Sequence, residues 1–493
     1  MPWLTLSLAL ALGGCSSLSP RTPQDMAGDV PAGWSVADAA PASASAGSLA
    51  AWWQHFDDPL LGRLIEQALA ANTDVLVAQA TLRQARALRD VAAAGLLPNV
   101  GSSASAQHSS AGTGSSRVTG ENFNAGFDAS WELDAFGVNR SGLRSSEATL
   151  QATAATLGAV QTSVAAEVAL DYIAVRGGQA RLVIAQRNLA SQQETLQIVQ
   201  WRLQAGLVTS LEVEQARASV EQTGALVPAL QTLIEQSAHA LAVLTGQPPA
   251  ALAAVLIAPG AVPRAADDLG FSLPAETLRQ RPDVRAAEHR VMAAAAHVDQ
   301  AEAARLPKFA LSGSLGLSAL SLGALTNGAS LVGSLMAGVT LPIFDGGALL
   351  AQVRAQLAAL EQSEFAYRAT VLTALKEVED ALVALRGDRE RLLRLEQAAD
   401  AAANASLMAN QRFSSGLIDF QTVLDAQRTQ LGTQDSVASA GADVATDHVR
   451  LYKALGGGWV PDTRADARAD ATDTATGRST AATGPNASRV TPP

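Results

Sequence analysis

The stretch WRLQAGLVTS, residues 201–210, returns as QRFSSGLIDF at residues 411–420. Other landmarks return with it. NTDV at 72–75 is matched by RPDV at 281–284, LLPNV at 96–100 by RLPKF at 305–309, and DAFG at 134–137 by IFDGG at 343–347. The offsets are 208 to 210 residues and the order is kept. Unrelated segments would not hold one register over so many landmarks, and a period near 209 is the size of a domain. The expectation is a chain built as two copies of one unit.

Each unit reads as helix, strand pair, long helix, helix. Leu60 to about Gly95 lacks Pro and keeps helical apolar spacing, so one helix is expected there, stopped by Leu97-Pro98. Residues 99–108 suit a strand and 109–121 a polar loop. From Gly137 to about Gln204 there is again no Pro, which allows about 100 Å of continuous helix. In the second unit Leu350, Leu357, Val371, Val378 and Leu385 recur at one heptad register, with Glu364 the exception. Val353, Leu360, Tyr367, Ala374 and Ala381 recur three residues on, the seam of a coiled coil. Gly206 and Gly416 mark turns, after which helices return over 211–245 and about 419–455. The expected layout is therefore a first repeat at 51–246 with its strand hairpin at 99–133, and a Pro-rich loop at 247–273. A second repeat follows at 274–460 with its hairpin at 308–343, then a disordered tail at 461–493 that is poor in large apolar residues.

The strands carry the sharpest demand. In NFNAGFDASWEL, Phe123, Ala125, Phe127, Ala129, Trp131 and Leu133 alternate with polar or small residues over twelve positions. Leu331, Gly333, Leu335, Ala337, Val339 and Leu341 repeat the pattern, as do Phe309, Leu311, Leu315 and Leu317 on the strand before. A strand of this length fits a tilted membrane crossing, which needs about 9–11 residues. An ordinary soluble sheet with one buried face has the same alternation. Only four such strands are visible per chain, and four cannot close a barrel. An open edge in lipid would leave N–H and C=O groups unpaired. If these strands cross a membrane, several copies must close the sheet, and the residues alone do not choose two copies over three.

The N-terminus favours the membrane. Residues 3–14, WLTLSLALALGG, form a short apolar run ending in small residues directly before Cys15, the one cysteine of the chain. This resembles a bacterial lipoprotein signal: residues 1–14 would be the signal peptide, Cys15 would carry the lipid, and 15–50 would be a linker. No Lys or Arg precedes the run, which departs from the pattern. Ser16, not Asp, follows the cysteine, as in lipoproteins sorted to the outer membrane. The longest other apolar run, residues 250–258, is about half of a helical span.

Composition narrows the function. Apolar residues are 48% of the chain, aromatics only 4%, and the net charge is −11 with no basic run, which excludes a nucleic-acid partner. There is no P-loop, no G-x-S-x-G elbow and no H-E-x-x-H, and the six histidines show no i,i+4 pair, so neither an enzyme nor a metal or other cofactor is expected.

Cys15, WELDAFG at 131–137, LPIFDGG at 341–347, the Arg-x-x-x-Gly turns at Arg202/Gly206 and Arg412/Gly416, and YKALGGGW at 452–459 together resemble TolC-like outer-membrane factors. More closely, they resemble the lipoprotein branch serving resistance-nodulation-division (RND) efflux pumps, over about residues 49–460. The resemblance implies a mainly α fold with a β-barrel part. A homotrimer would close twelve strands into one barrel and its helices into a periplasmic coiled-coil tunnel. It implies a passive duct in the Gram-negative outer membrane, with a periplasmic adaptor and an inner-membrane pump as partners. It places adaptor contacts at the tips: Arg202, Gly206, Leu207, Val208 and Thr209, and Arg412, Gly416, Leu417 and Ile418. It places the periplasmic gate at Asp425, Gln421 and Thr422, with Glu212 as a tip residue that could pair to hold the mouth shut. Phe123, Phe127, Trp131 and Leu133 would face lipid. A protein-secretion duct of the same fold, and a non-conducting lipoprotein that spaces envelope layers, remain alternatives; the strands argue against the spacer.

Overall fold

The computed structural model describes residue 34 and residues 49–112, 118–265, 281–326 and 330–459. The proposed signal peptide, Cys15 and the tail at 461–493 lie outside the described residues. After a 3-10 turn at Trp52–Phe56 the elements are α1 (Pro59–Ala71), α2 (Thr73–Ala94), β1 (Asn99–Ala111), β2 (Val118–Leu133), α3 (Val138–Gln204) and α4 (Ser210–Leu244). A single turn α5 (Ala253–Leu256) lies in the connecting loop. Then come α6 (Pro282–Ala303), β3 (Lys308–Ala319), β4 (Leu331–Thr340), α7 (Ala348–Ser414) and α8 (Phe420–Ala454). The chain is mostly helical with one four-stranded antiparallel sheet in the order β1-β2-β3-β4. Among the described residues no helix is long and apolar enough to cross a membrane.

Corresponding helices have equal lengths. α3 and α7 each have 67 residues, α4 and α8 each have 35, and α2 and α6 each have 22. At 1.5 Å per residue the long pair run about 100 Å.

One expected helix is two. The run from Leu60 to Gly95 breaks at Asn72, whose extended backbone ends α1 and starts α2. The reason is a side chain that serves two helix ends. Its oxygen accepts from Asp74 N at 2.8 Å and Val75 N at 3.3 Å, and its amide nitrogen donates to Leu244 O at 3.0 Å, the end of α4. Free N–H groups at one helix start and a free C=O at another helix end are thereby satisfied. Asp58 caps α1 in the ordinary way, accepting from Leu60 N and Leu61 N, with Pro59 at the first helical position. The first hairpin also differs from expectation. β1 runs to Ala111 and β2 starts at Val118, so both strands extend into the stretch expected to be loop.

The interior explains several odd residues. Gly177 and Gly178 sit in the middle of α3, where glycine costs helix stability. A Cβ on Gly177 would lie 3.0 Å from Ala442 Cβ of α8, and one on Gly178 2.9 Å from Ile234 of α4. Both helices cross α3 there at close range. Buried Arg176, one residue before, donates to Tyr172 Oη, to Gln179 and to Ala258 O, tying the connecting loop to α3. The YKALGGGW motif is a strap. Tyr452 stacks on Trp52 with ring centroids 5.3 Å apart, Gly458 N donates to Leu49 O, and Gly158 of α3 is backed by the Trp459 indole. Leu49, Trp52 and Tyr452 belong to the main core, which also includes Phe56, Ile65, Val168, Ile173, Leu241, Val449 and Leu451.

The heptad seam of α7 is filled only in part within one protomer. Val353, Tyr367, Val371, Ala374, Val378, Ala381 and Leu385 are buried, and Leu360 is half-buried. Leu350 and Leu357, nearer the sheet, are exposed.

Candidate functional site

The sheet carries one largely apolar face. Register pairs Phe123 with Ala319, Phe127 with Leu315, Trp131 with Leu311 and Leu133 with Phe309. Leu311, Leu315 and Leu317 in turn oppose Ala337, Gly333 and Leu331. Because side chains alternate, all of these lie on one face. The other face holds hydroxyls, amides, Asp128 and Glu132, with Val332 and Met336 of β4 among them. Ser103 Oγ donates to Asp128 Oδ2, Ser318 Oγ to Asn122 Oδ1, and Ser314 bonds Ser334 at 2.8 Å. Phe127 is 64% exposed on its apolar face, a state that water would penalise. Trp131 is only half exposed, and its indole N–H donates to Leu96 O at 3.0 Å, which pins the foot of β2 to the end of α2. Sequence reasoning gave Trp131 a lipid contact and missed this anchor.

The helical hairpins end in two turns of one design. Leu207 N donates to Arg202 O at 2.8 Å and Gly206 N to Leu203 O at 2.9 Å. Leu417 N donates to Arg412 O and Gly416 N to Phe413 O, both at 2.9 Å. This is the Schellman pattern, and it needs a left-handed residue: φ is +72° at Gly206 and +73° at Gly416. In many such turns the next residue packs back on the helix. Here Leu207 and Leu417 are each 73% exposed, while Val208 and Ile418 pack against a small core of Val199, Val213, Phe413, Phe420, Val423 and Leu424. Arg202 is engaged within the chain. It donates to Phe413 O and Ser414 O and lies over the Phe413 ring at 4.3 Å. Thr209 begins α4, and Glu212 accepts from its N–H and hydroxyl. Glu212 thus closes a capping box at the start of its own helix.

On α8 the expected gate residues share a face. Val423, Leu424 and Gln427 are buried against the protomer, whereas Gln421, Thr422, Asp425 and Arg428 are exposed. Thr422 donates to Asp419, the cap of α8. Gln421 Nε2 donates to Asp425 Oδ1 at 3.0 Å, and Arg428 Nη1 lies 4.0 Å from the same oxygen. Sequence reasoning missed Arg428, although its i+3 spacing from Asp425 was visible. It also missed Asp447, where burial, with Asp388 beside it, pushes the carboxyl up to about 6 against the pull of Arg450.

A family model described as outer membrane efflux protein matches residues 64–247 and again 273–457. The chain belongs to the outer membrane efflux protein family. The family's members are channels, not enzymes. The pyoverdine export outer membrane protein OpmQ of Pseudomonas putida is 36% identical over 473 residues, covering 93% of this chain and 97% of that protein. The toluene efflux pump outer membrane protein TtgF of the same species is 31% identical over 471 residues, with 93% and 97% covered. Among solved structures, the outer-membrane channel OprN superposes with a TM-score of 0.80 at 37% identity, covering 88% of this chain and all of that one. The CusC channel gives 0.77 at 26% identity, over 87% of this chain and 97% of that one.

This outer membrane efflux protein therefore brings together some of the residues singled out from its sequence and separates others. The apolar strand residues share one face, and Gln421, Thr422 and Asp425 share another. Arg202 and Arg412 occupy the same position of two alike turns, but Arg202 is bonded to the second hairpin while Arg412 is exposed.

Proposed function

We propose that this chain is the outer-membrane exit duct of a tripartite efflux system, working with a periplasmic adaptor and an inner-membrane pump of the RND type. Three copies would pair β4 of one with β1 of the next into a twelve-stranded barrel, and their hairpins would form the tunnel below. The observation that carries this reading is the sheet: four strands with one largely apolar face and two unpaired edges, β1 and β4. An open, apolar-faced sheet is not tolerated in lipid until its edges close. The equal lengths of corresponding helices and the two matches to one family model support a tandem duplication, hence six similar units around one axis. Relatives named for pyoverdine and toluene support small organic molecules as the exported class. Single-channel recording in planar bilayers, with the oligomer sized in detergent, tests it. A monomer without conductance would leave an envelope spacer as the better reading.

The gate belongs to the same proposal. Threefold symmetry would bring three Asp425 carboxylates to the axis, each with its Arg428. Asp425→Ala removes the acid and keeps the base. Conductance should rise, and any cation preference should turn toward anions. Unchanged conductance and selectivity in an intact trimer would make Asp425 an ordinary helix-surface charge.

The lipid anchor is proposed on Cys15. Cys15→Ala should abolish incorporation of labelled palmitate while oligomer and conductance persist, because the barrel supplies its own hold on the membrane. Labelled palmitate retained in the alanine variant would refute the anchor.

A further inference from the structure

The Arg202 clasp has a counterpart that is not closed within the chain. Arg202 Nη2 donates to Phe413 O at 3.0 Å and to Ser414 O at 2.9 Å, the carbonyls that end α7. Last-turn carbonyls lack an i+4 partner, Phe413 O keeps a free lone pair beside its bond from Gly416 N, and both carry the negative end of the helix dipole, so a guanidinium there satisfies both needs. Arg412 stands 210 residues further on, at the same position of the same turn. It is exposed, and its guanidinium has no hydrogen-bond or ion-pair partner among the described residues. The residues that stand to α3 as Phe413 and Ser414 stand to α7 are Leu203 and Gln204. They end a helix of the same length, and both are exposed in the protomer.

We infer that Arg412 closes onto the terminal carbonyls of the partner subunit's Leu203 and Gln204, so that the clasp made within each protomer by Arg202 is repeated between protomers. The inference rests on the threefold reading above. The operation that carries the first hairpin onto the second within a chain carries the second onto the first hairpin of the next copy. Arg412 is then to that copy what Arg202 is to its own chain.

The two clasps are not equal. Arg202 lies over an aromatic ring, whereas Arg412 would meet Leu203, which offers no cation–π attraction. Arg202 is also the last rung of a polar ladder at heptad spacing. Arg181 pairs with Asp435 through bonds of 2.7 and 3.0 Å, Asn188 with Gln434 at 3.0 Å, and Thr195 with Gln427 at 3.0 Å. Shifted by 210 residues, those pairs become Arg391 with Ala225, Ala398 with Gly224 and Ala405 with Arg217. None can repeat the bond. Arg391 is instead held within its own chain by Asp388 and Asp443. The seam between copies therefore keeps the arginine clasp and loses the ladder, and it is the seam at which the tunnel mouth parts first.

Cysteine cross-linking in the full-length chain tests the contact, using a Cys15→Ala background with no other thiol. Arg412→Cys with Gln204→Cys, treated with a bismaleimide about as long as an arginine side chain, should give covalent dimers and trimers on a denaturing gel. Arg202→Cys with Ser414→Cys should react within one chain and give no band of higher mass. A trimer on a non-denaturing gel that yields no covalent dimer from the Arg412/Gln204 pair overturns the clasp and leaves the threefold reading intact. Absence of any trimer overturns both. In bilayers, Arg412→Gln should lose the low-conductance resting level and Arg412→Lys should recover part of it. A resting level unchanged by Arg412→Gln also overturns the clasp.

Discussion

Arg281→Ala should cost the folded protein roughly 3 kcal/mol, the lower end of the range for removing one member of a buried ion pair. Arg281 is 7% exposed at the start of α6. Its Nη1 donates to Ala454 O at 2.7 Å, and its Nη2 to Asp283 and Glu377, both at 2.7 Å. The acids are 39% and 48% exposed, so water can rehydrate them, and the figure is kept low for that reason. Arg281 aligns with Asn72, and Ala454 with Leu244. Each of these N-cap residues bonds the last carbonyl of the returning helix of its own unit, one through a guanidinium and the other through an amide. Arg281→Asn should therefore lose clearly less than Arg281→Ala. Denaturant unfolding in detergent, followed by circular dichroism, reads both variants. Equal losses would show that the carbonyl contact contributes little and the ion pairs dominate.

The same site sets an acid limb. Burial alone would raise the Asp283 carboxyl, but the hydrogen bond and charge of Arg281 outweigh it and hold the group below its ordinary value. A depressed folded pKa gives stability that is present above the unfolded carboxylate range and is lost as pH falls through the folded value. Arg281→Ala should flatten this limb.

The repeat, the long helices and the alternating strands were legible because each is a periodic pattern of apolar residues. Asn72 was not, since its two partners are backbone groups and one of them lies 172 residues away. The tip of the first hairpin was missed for a different reason. Ser109 to Ala111 and Val118 to Glu121 have almost no large apolar residue to show the period, yet they pair in register. At the tips the Arg-x-x-x-Gly turns were visible as turns. The clasp of Arg202 was not, because backbone carbonyls carry no sequence signal. The capping box of Thr209 and Glu212 was legible in their spacing, three residues apart at a helix start.

Phe127→Arg should destabilise the assembled protein by about 2–4 kcal/mol if position 127 lies near the bilayer midplane, the cost of a cation on the lipid face of a barrel. Phe127 lies midway along β2, between Ser102 on β1 and Leu315 on β3. Of its neighbours on that face, Ala104, Ala125, Leu315 and Leu317 offer the guanidinium no acceptor, and Ser102 directly opposite offers only a hydroxyl. Asp128 is the adjacent residue on the other face, where Ser103 donates to it. Arg there replaces one charge by another on a wet surface, so Asp128→Arg should be nearly silent for stability. The fraction of heat-resistant oligomer on a gel, measured over a temperature series, compares the two variants. A larger loss for Asp128→Arg would reverse the faces and turn Phe123, Phe127 and Leu133 toward the lumen. Equal losses would mean that neither face meets lipid, and a sheet with two wet faces needs no barrel to close it.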